Sequence, residues 1–267
     1  MTDLADLSAS RLTCTVVIPC FNEASRFPMQ AFEHFLLTEQ RHSIRLLLVN
    51  DGSRDHTLVR LKQLRERFPD HIQILDLQPN RGKAEATRLG MLSVIAEGQS
   101  EFTGFWDADL ATPLSEIPEF LDLFAKAPNL NLIFGARVRL HGRHIHRRPI
   151  RHYLGRCFAT VVSVLLKMPV YDTQCGAKLF RITPEFQQIL KQPFYSRWVF
   201  DVEILARLLS LYSGDTAPLE HQLYEYPLPE WRDVEGSKVR PVDFFRAFAD
   251  LAFIYRRHLY GLRRTAR

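Results

Sequence analysis

The 267-residue sequence predicts an α/β fold in which a mostly parallel central sheet is covered on both faces by helices. Two observations predict it. Short apolar runs of buried-strand length alternate with longer stretches whose apolar residues recur at helical spacing. Polar and acidic residues gather where those runs end, and a parallel sheet receives its ligand beyond the carboxyl ends of its strands. An apolar fraction of 46% with 24% charged residues suits one large domain with a short appendage.

The elements follow in order. Thr13 to Ile18 is a continuous apolar and β-branched run, read as the first strand. A helical pattern over Phe27 to Gln40 leads to a second strand, Ile44 to Asn50. Asp55 to Phe68 places Leu58, Leu61, Leu64 and Phe68 on one helical face, with Asp55 as its expected N-cap. Ile72 to Leu77 is the third strand, Lys83 to Glu97 the next helix, and Phe102 to Trp106 the fourth strand. A helix over Ser115 to Lys126 precedes a short fifth strand, Leu132 to Phe134. Past Gly135 the alternation weakens. An Arg- and His-rich stretch runs to Arg156, followed by a helix up to Met168, a segment Tyr171 to Arg181, a helix around Phe200 to Leu209 and a tail helix from about Val242 to Tyr260. No internal repeat or low-complexity linker divides the chain.

The net charge is only +5, but it is unevenly spread. No acid lies between Asp122 and Asp172, whereas Lys126, Arg137, Arg139, Arg143, Arg147, Arg148, Arg151, Arg156 and Lys167 do. After Asp250 come Arg256, Arg257, Arg263, Arg264 and Arg267, again without an acid. Such regions suit an anionic partner. Cys14, Cys20, Cys157 and Cys175 form no C-x-x-C pair, so a zinc site or disulfide scaffold is not expected and a reducing compartment is. Met1 to Arg11 has no apolar core of the signal-peptide kind, and the longest uncharged apolar run, Cys157 to Leu166, is too short to span a bilayer.

Three acidic loops are expected on one rim: Pro19-Cys20-Phe21-Asn22-Glu23, Asn50-Asp51-Gly52-Ser53 and Asp107-Ala108-Asp109. Asp107 and Asp109 are hard oxygen ligands one residue apart, which suit Mg²⁺ or Mn²⁺; the same pair also suits an acidic turn capping the following helix. Asp51 reads equally as a turn residue and as an acceptor for a base or ribose. Asn80-Arg81-Gly82-Lys83 opens a helix, and so is either an anion site or a solvated basic cap. No P-loop pattern is present, and no G-x-G-x-x-G follows the first strand, which argues against P-loop NTPases and Rossmann dehydrogenases.

These four segments, beginning at Val16-Val17-Ile18-Pro19, resemble in order and spacing the family-2 inverting glycosyltransferases. Asp172-Thr173-Gln174-Cys175-Gly176-Ala177-Lys178-Leu179-Phe180, Arg197-Trp198-Val199-Phe200-Asp201-Val202-Glu203 and Glu235-Gly236-Ser237-Lys238-Val239 resemble dolichyl-phosphate β-glucosyltransferases among them. The resemblance covers about residues 13 to 260. It implies a GT-A-type nucleotide-sugar-binding fold with C-terminal amphipathic helices. Residues 1–12 are then an N-terminal tail, 13–240 the catalytic domain (13–136 the nucleotide-sugar half, 137–240 the acceptor half) and 241–267 a basic amphipathic helix.

By the same resemblance Pro19, Asn22, Glu23, Asp51, Lys83 and Asp107 bind the nucleotide-sugar donor, and Asp109 with Asp107 holds the cation. Arg137, Arg148, Arg151 and Lys178 are expected to meet an acceptor phosphate, with Asp201 or Asp172 nearest the reacting centre. An ion pair of either aspartate with Arg197 or Lys178 is the structural alternative. Relatives usually have aspartate where this chain has Asn50, and the eukaryotic ones have a hydrophobic N-terminal anchor that is missing here. Attachment is expected instead through basic amphipathic helices. Phe158, Val161, Val162, Val164, Leu165 and Leu166 form one, and Phe244, Phe245, Phe248, Leu251, Phe253, Ile254 and Tyr255 the other. Core packing is the competing role for both.

The expected function is metal-dependent, inverting transfer of glucose from UDP-glucose to a polyprenyl phosphate, at the cytoplasmic face of a membrane and without nucleic acid. Mannosyl transfer from GDP-mannose and transfer to a hydroxyl are the enzymatic alternatives. A basic nucleic-acid-binding protein is the non-enzymatic one, but it explains none of the acidic loops, and no helix-turn-helix, zinc-finger or RNP pattern is found.

Overall fold

A computed structural model describes residues 11–146, 149–234 and 241–261. Its elements are β1 (Thr13–Cys20), α1 (Met29–Thr38), β2 (Ser43–Asp51), α2 (Thr57–Arg67), β3 (Ile72–Leu77), α3 (Lys83–Glu97), β4 (Phe102–Trp106), α4 (Glu116–Lys126) and β5 (Leu132–Ala136). There follow β6 (His144–His146), α5 (Pro149–Leu166), β7 (Ala177–Arg181), α6 (Pro184–Leu190), α7 (Phe200–Leu211), α8 (Ala217–Gln222), β8 (Leu223–Pro227), β9 (Glu230–Arg232) and α9 (Pro241–Ile254), which runs into a π-helical turn, Tyr255–Leu259.

Among the described residues, seven strands form one sheet in the order β3-β2-β1-β4-β7-β5-β8, and β6 pairs with β9 apart from it. The pairs β1–β2, β1–β4, β2–β3 and β5–β8 are parallel. β7 alone runs antiparallel, to both β4 and β5. Alternate residues feed two core layers: Val17, Leu47 and Val49 face α3, α7 and α9, while Val16, Ile18, Leu46 and Leu48 face α1, α2 and α4. α3 lies so close to the sheet that a Cβ at Gly90 would sit 2.5 Å from Val17. Only glycine lets the helix approach that far.

The first half matches the expected elements within two residues at each end. Asp55 is a correction: helix α2 begins at Thr57 with His56 at the cap, and Asp55 instead accepts from the Thr57 amide (3.0 Å) and the Ala24 amide (3.1 Å). In the second half, α5 starts at Pro149 rather than after Arg156, with proline at a first-turn position where its missing N–H costs nothing. The Arg- and His-rich stretch contributes β6, and only Ala177–Arg181 of the Tyr171–Arg181 segment is strand. Helix α6 has a legible start, Thr183-Pro184, in which the threonine hydroxyl caps the Phe186 amide at 3.2 Å. Arg148 and Glu235 to Val239 lie outside the described residues, as do Arg263, Arg264 and Arg267. Arg151 falls in α5 with its side chain not described. Among the described residues no helix is long and apolar enough to cross a membrane.

Candidate active site

The carboxyl ends of β1 and β2 lie side by side, with Cys20 paired to Asn50, and β4 flanks β1 on its other edge. The loop after β1 is tied to the one after β2. The Asn22 amide donates to the Ser53 hydroxyl (3.1 Å), Arg54 N to Asn22 Oδ1 (2.9 Å) and Glu23 N to Thr57 Oγ1 (2.7 Å). Pro19 is the penultimate residue of β1 and half-buried. Asn50 donates to Asp76 at 2.6 Å. Asp51, only 2% exposed, accepts from Asn80 Nδ2 (2.9 Å), Arg81 N (2.7 Å) and Gly82 N (2.9 Å). It therefore shapes the loop that leads into α3. Gly52 sits at φ +64°, where a Cβ would strike the Asn80 amide.

Asp107 and Asp109 leave β4 into this rim. Asp107 is held on both sides: its amide donates to Gly176 O at 2.9 Å, and its carboxylate accepts from Lys83 Nζ at 2.5 Å. A Cβ on Gly176 would lie 1.9 Å from Asp107 Oδ2, so that glycine is the floor against which the carboxylate rests. Asp109 Oδ1 accepts from the Ala111 amide at 3.2 Å, and Oδ2 faces Arg26 Nη1 at 3.8 Å. Burial and then the charge of Asp107 push the Asp109 carboxyl upward, against the opposing pull of Arg26 and Lys83. Arg26 also grips Glu23, three residues earlier, through Nη2–Oε1 at 2.7 Å and a second bond from Nε to Oε2. Among the described residues, no three His, Cys, Asp or Glu side chains gather into a cage for an ion.

Asp201 lies one residue into α7, a helix buried on every side from Phe200 to Leu209. Its nearest cation is Lys178, whose Nζ stands 3.7 Å from Asp201 Oδ1 and donates to Cys175 O. Lys178 is 0% exposed, with its ammonium over the rings of Phe105 and Phe134 at 5.1 and 4.9 Å. Lys178, expected to meet an acceptor phosphate, is thus buried in the core. Asp201 Oδ1 is buried and accepts no hydrogen bond. Burial pushes its carboxyl up to about 6, resisted by Lys178 and Lys83 and assisted by Asp107 and Asp172.

Arg137 and Asp172 form a mostly buried two-pronged pair, Nε–Oδ2 at 2.6 Å and Nη2–Oδ1 at 2.7 Å, and the Arg137 amide adds a bond of 3.1 Å. The ion-pair alternative thus holds for Asp172, with Arg137 rather than Arg197 or Lys178 as the partner, and for Asp201 with Lys178 at 3.7 Å. The guanidinium lies 5.2 Å over Trp231. Glu225 on β8 fixes the Asp172 loop by accepting from Tyr171 N at 2.7 Å and Asp172 N at 2.8 Å, and burial raises its carboxyl. Arg156 donates to Tyr171 O at 2.8 Å and stacks on that ring at 3.6 Å. Sequence reasoning missed Arg26 and Glu225. For Arg26 the i,i+3 spacing from Glu23 is a signal; for Glu225 there is none short of the fold.

Residues 15–185 match the family description Glycosyl transferase family 2. The dolichyl-phosphate β-glucosyltransferase of Drosophila melanogaster is 31% identical over 270 residues, covering 96% of this chain and 78% of that protein. The Homo sapiens protein of the same name is 30% identical over 268 residues, 92% of this chain and 76% of its own. Among solved structures, glucosyl-3-phosphoglycerate synthase from Mycobacterium tuberculosis, crystallised with Mn²⁺ and UDP-glucose, aligns with a TM-score of 0.63 at 16% identity, over 92% of this chain and 79% of that one. The complex of that enzyme with UDP aligns with a TM-score of 0.61 at 17% identity, over 92% and 81%. These likenesses carry the GT-A fold. The matched span holds Pro19 to Glu23, Asp51, Lys83 and Asp107 to Asp109, and with the curated relatives covering nearly the whole chain, the protein belongs to glycosyltransferase family 2 and is a glycosyltransferase.

Proposed function

We propose that this enzyme transfers glucose from UDP-glucose, with inversion, to a polyprenyl phosphate of the dolichyl type at a membrane surface. The observation that carries the reading is the meeting of Asp107, Asp109, Lys83 and the buried Asp201 at one rim. The names of the relatives support the choice of sugar and acceptor.

Asp107 and Asp109 suit a divalent cation: two hard carboxylates stand close enough for Asp107 to raise the Asp109 carboxyl. Mg²⁺ or Mn²⁺ held there, completed by phosphate and water oxygens, would neutralise charge on the departing nucleoside diphosphate. Lys83, at the start of α3, adds a protein cation beside the same diphosphate. Pro19, Asn22 and Glu23 line the nucleotide side, and Asp51 acts through the Asn80–Gly82 loop that it holds.

A phosphate monoester is largely ionised near neutrality, since its second pKa is about 6. The acceptor is then already nucleophilic, and the site has to orient it. Arginine has five donors and Asp172 takes two of those on Arg137, so an acceptor phosphate meets the remaining edge. Arg148 and Arg151 belong to the same acid-free stretch of sequence and add to its positive charge. Asp201 Oδ1 lacks a donor, and a hydroxyl of the bound sugar supplies one, holding the anomeric carbon in line.

The lipid side is α5. Tyr153 and Val164 are each 70% exposed, and with Leu154, Cys157 and Val161 they make an outward apolar stripe, while Phe158, Val162 and Leu166 pack inward. The inward face packs in the core, and the outward one supports the membrane-facing role proposed here. Exposed Arg256 and Arg257 follow α9, and each basic group near an anionic surface contributes about 1 kcal/mol. Cys14, Cys20, Cys157 and Cys175 form no disulfide among the described residues, which suits the reducing, cytoplasmic side of that membrane.

The test supplies labelled UDP-glucose and polyprenyl phosphate in vesicles, with Mn²⁺, with Mg²⁺ or with a chelator. Metal-dependent lipid-linked label is expected. Asp109→Ala removes it, and Arg137→Ala raises the acceptor KM more than the donor KM. Label appearing only from GDP-mannose, or only on a soluble hydroxyl acceptor, would refute the reading.

A further inference from the structure

Arg26 touches both the Glu23 loop and the Asp109 carboxylate. It reaches them from a fixed place. The Arg26 and Phe27 amides both donate to Glu23 O, at 3.0 and 2.8 Å, so residues 23–27 form a tight turn. Phe27, buried and stacked on Phe32 at 4.7 Å, pins that turn to α1. The guanidinium then holds Glu23 through two nitrogens and turns the third, Nη1, to Asp109 Oδ2. On the other side of the same acidic pair, Lys83 Nζ holds Asp107. Two carboxylates one residue apart are therefore each faced by a protein cation.

The two contacts differ in kind. Lys83 to Asp107 is a direct hydrogen bond at 2.5 Å, whereas Arg26 to Asp109 is a longer Coulomb contact at 3.8 Å. The longer contact can be given up while the guanidinium stays on Glu23. We propose that Arg26 is a placeholder cation: it screens Asp109 while the divalent-ion site is empty and yields that carboxylate to the ion, remaining anchored to Glu23. This rests on Asp107 and Asp109 being the ligands of the ion. The placeholder keeps the two carboxylates from repelling each other in the donor-free protein, and it weakens ion binding before the nucleotide arrives, because the ion has to displace a like charge.

The experiment measures Mn²⁺ affinity without nucleotide, from the electron paramagnetic resonance of free Mn²⁺, and the rise in Tm that Mn²⁺ brings. Wild type, Arg26→Gln, Arg26→Lys and Asp109→Asn are compared. Arg26→Gln is expected to bind Mn²⁺ about five-fold more tightly, the scale of losing one partly exposed opposing charge. Its Tm in chelator is expected to drop, with a larger recovery on adding Mn²⁺. Arg26→Lys, which keeps the charge, stays near wild type. Equal or weaker Mn²⁺ binding by Arg26→Gln, with Asp109→Asn losing it, would overturn the placeholder and leave the ligand reading intact. Mn²⁺ binding that survives Asp109→Asn would remove the ligand reading itself, and the placeholder with it.

Discussion

At the scale of single residues, the geometry around Asp107 is the most exacting. Gly176 has no room for a methyl group, because the Asp107 carboxylate occupies that space. Gly176→Ala is therefore expected to displace Asp107 by about an ångström and lower kcat on the order of a hundred-fold, with the circular dichroism spectrum unchanged. Asp201 gives a pH prediction. Its carboxyl titrates at about 6, above an ordinary aspartate near 3.9, so between those values the folded protein holds a proton that the unfolded chain has lost. Stability attributable to this group is highest below about pH 4 and falls as pH rises through 6. Turnover that needs the ionised form rises over the same interval. The acceptor phosphate titrates there too, so the check is infrared difference spectroscopy on the protein alone: a carboxylic-acid band with a midpoint at about 6, absent from Asp201→Asn.

At the scale of elements, α5 has a buried face and an exposed apolar face that its composition merges. Phe158 is buried against Phe248, with ring centroids 5.7 Å apart. Phe158→Ala should cost roughly 3–5 kcal/mol in denaturant unfolding. Replacing Tyr153 and Val164 by aspartate should leave the unfolding midpoint nearly unchanged while reducing cosedimentation with anionic vesicles, more so at low salt. Elements also differ in how openly the sequence announces them. β1 and β4 are largely buried on both faces and carry no charged residue, and β2 is interrupted only by Arg45 before its polar end, so their ends were legible within two residues. β6, β8 and β9 are three to five residues long with mixed faces and carry no period long enough to recognise. β7 lies inside the Tyr171–Arg181 segment with Lys178 and Arg181 in it, and its antiparallel direction depends on the neighbours between which it lies.

At the scale of the molecule, the same division explains which parts of the site were readable. The Pro19, Asp51 and Asp107 loops follow strands that the sequence reveals, so their shared rim follows from strand direction alone. The Arg137–Asp172 pair, the Glu225 clamp and the placement of Lys178 in the core join residues far apart in sequence through β7 and β8. Nothing local encodes such pairings; they come from the order of strands in the sheet. Charge counting placed an anionic partner near the acid-free stretch, yet Arg137 spends two of its donors on an aspartate. That aspartate lies at the stretch's far boundary.

The position of β7 bears on how this protein is made. The strand that fills the space between β4 and β5 is synthesised after both of them, with all of α5 coming first. A chain growing from its N-terminus can pair β1, β2, β3 and β4 as each emerges, but it has to keep a slot beside β4 empty until residue 181 has appeared. During that interval the edge of β4 is an unpaired apolar strand, open to pairing with another chain. Gly176 and Lys178, which complete the surroundings of Asp107 and Asp201, arrive with the strand that closes it. Closure of the β4 edge and completion of the surroundings of Asp107 thus come together, before α7 with Asp201 and the edge strand β8 are made.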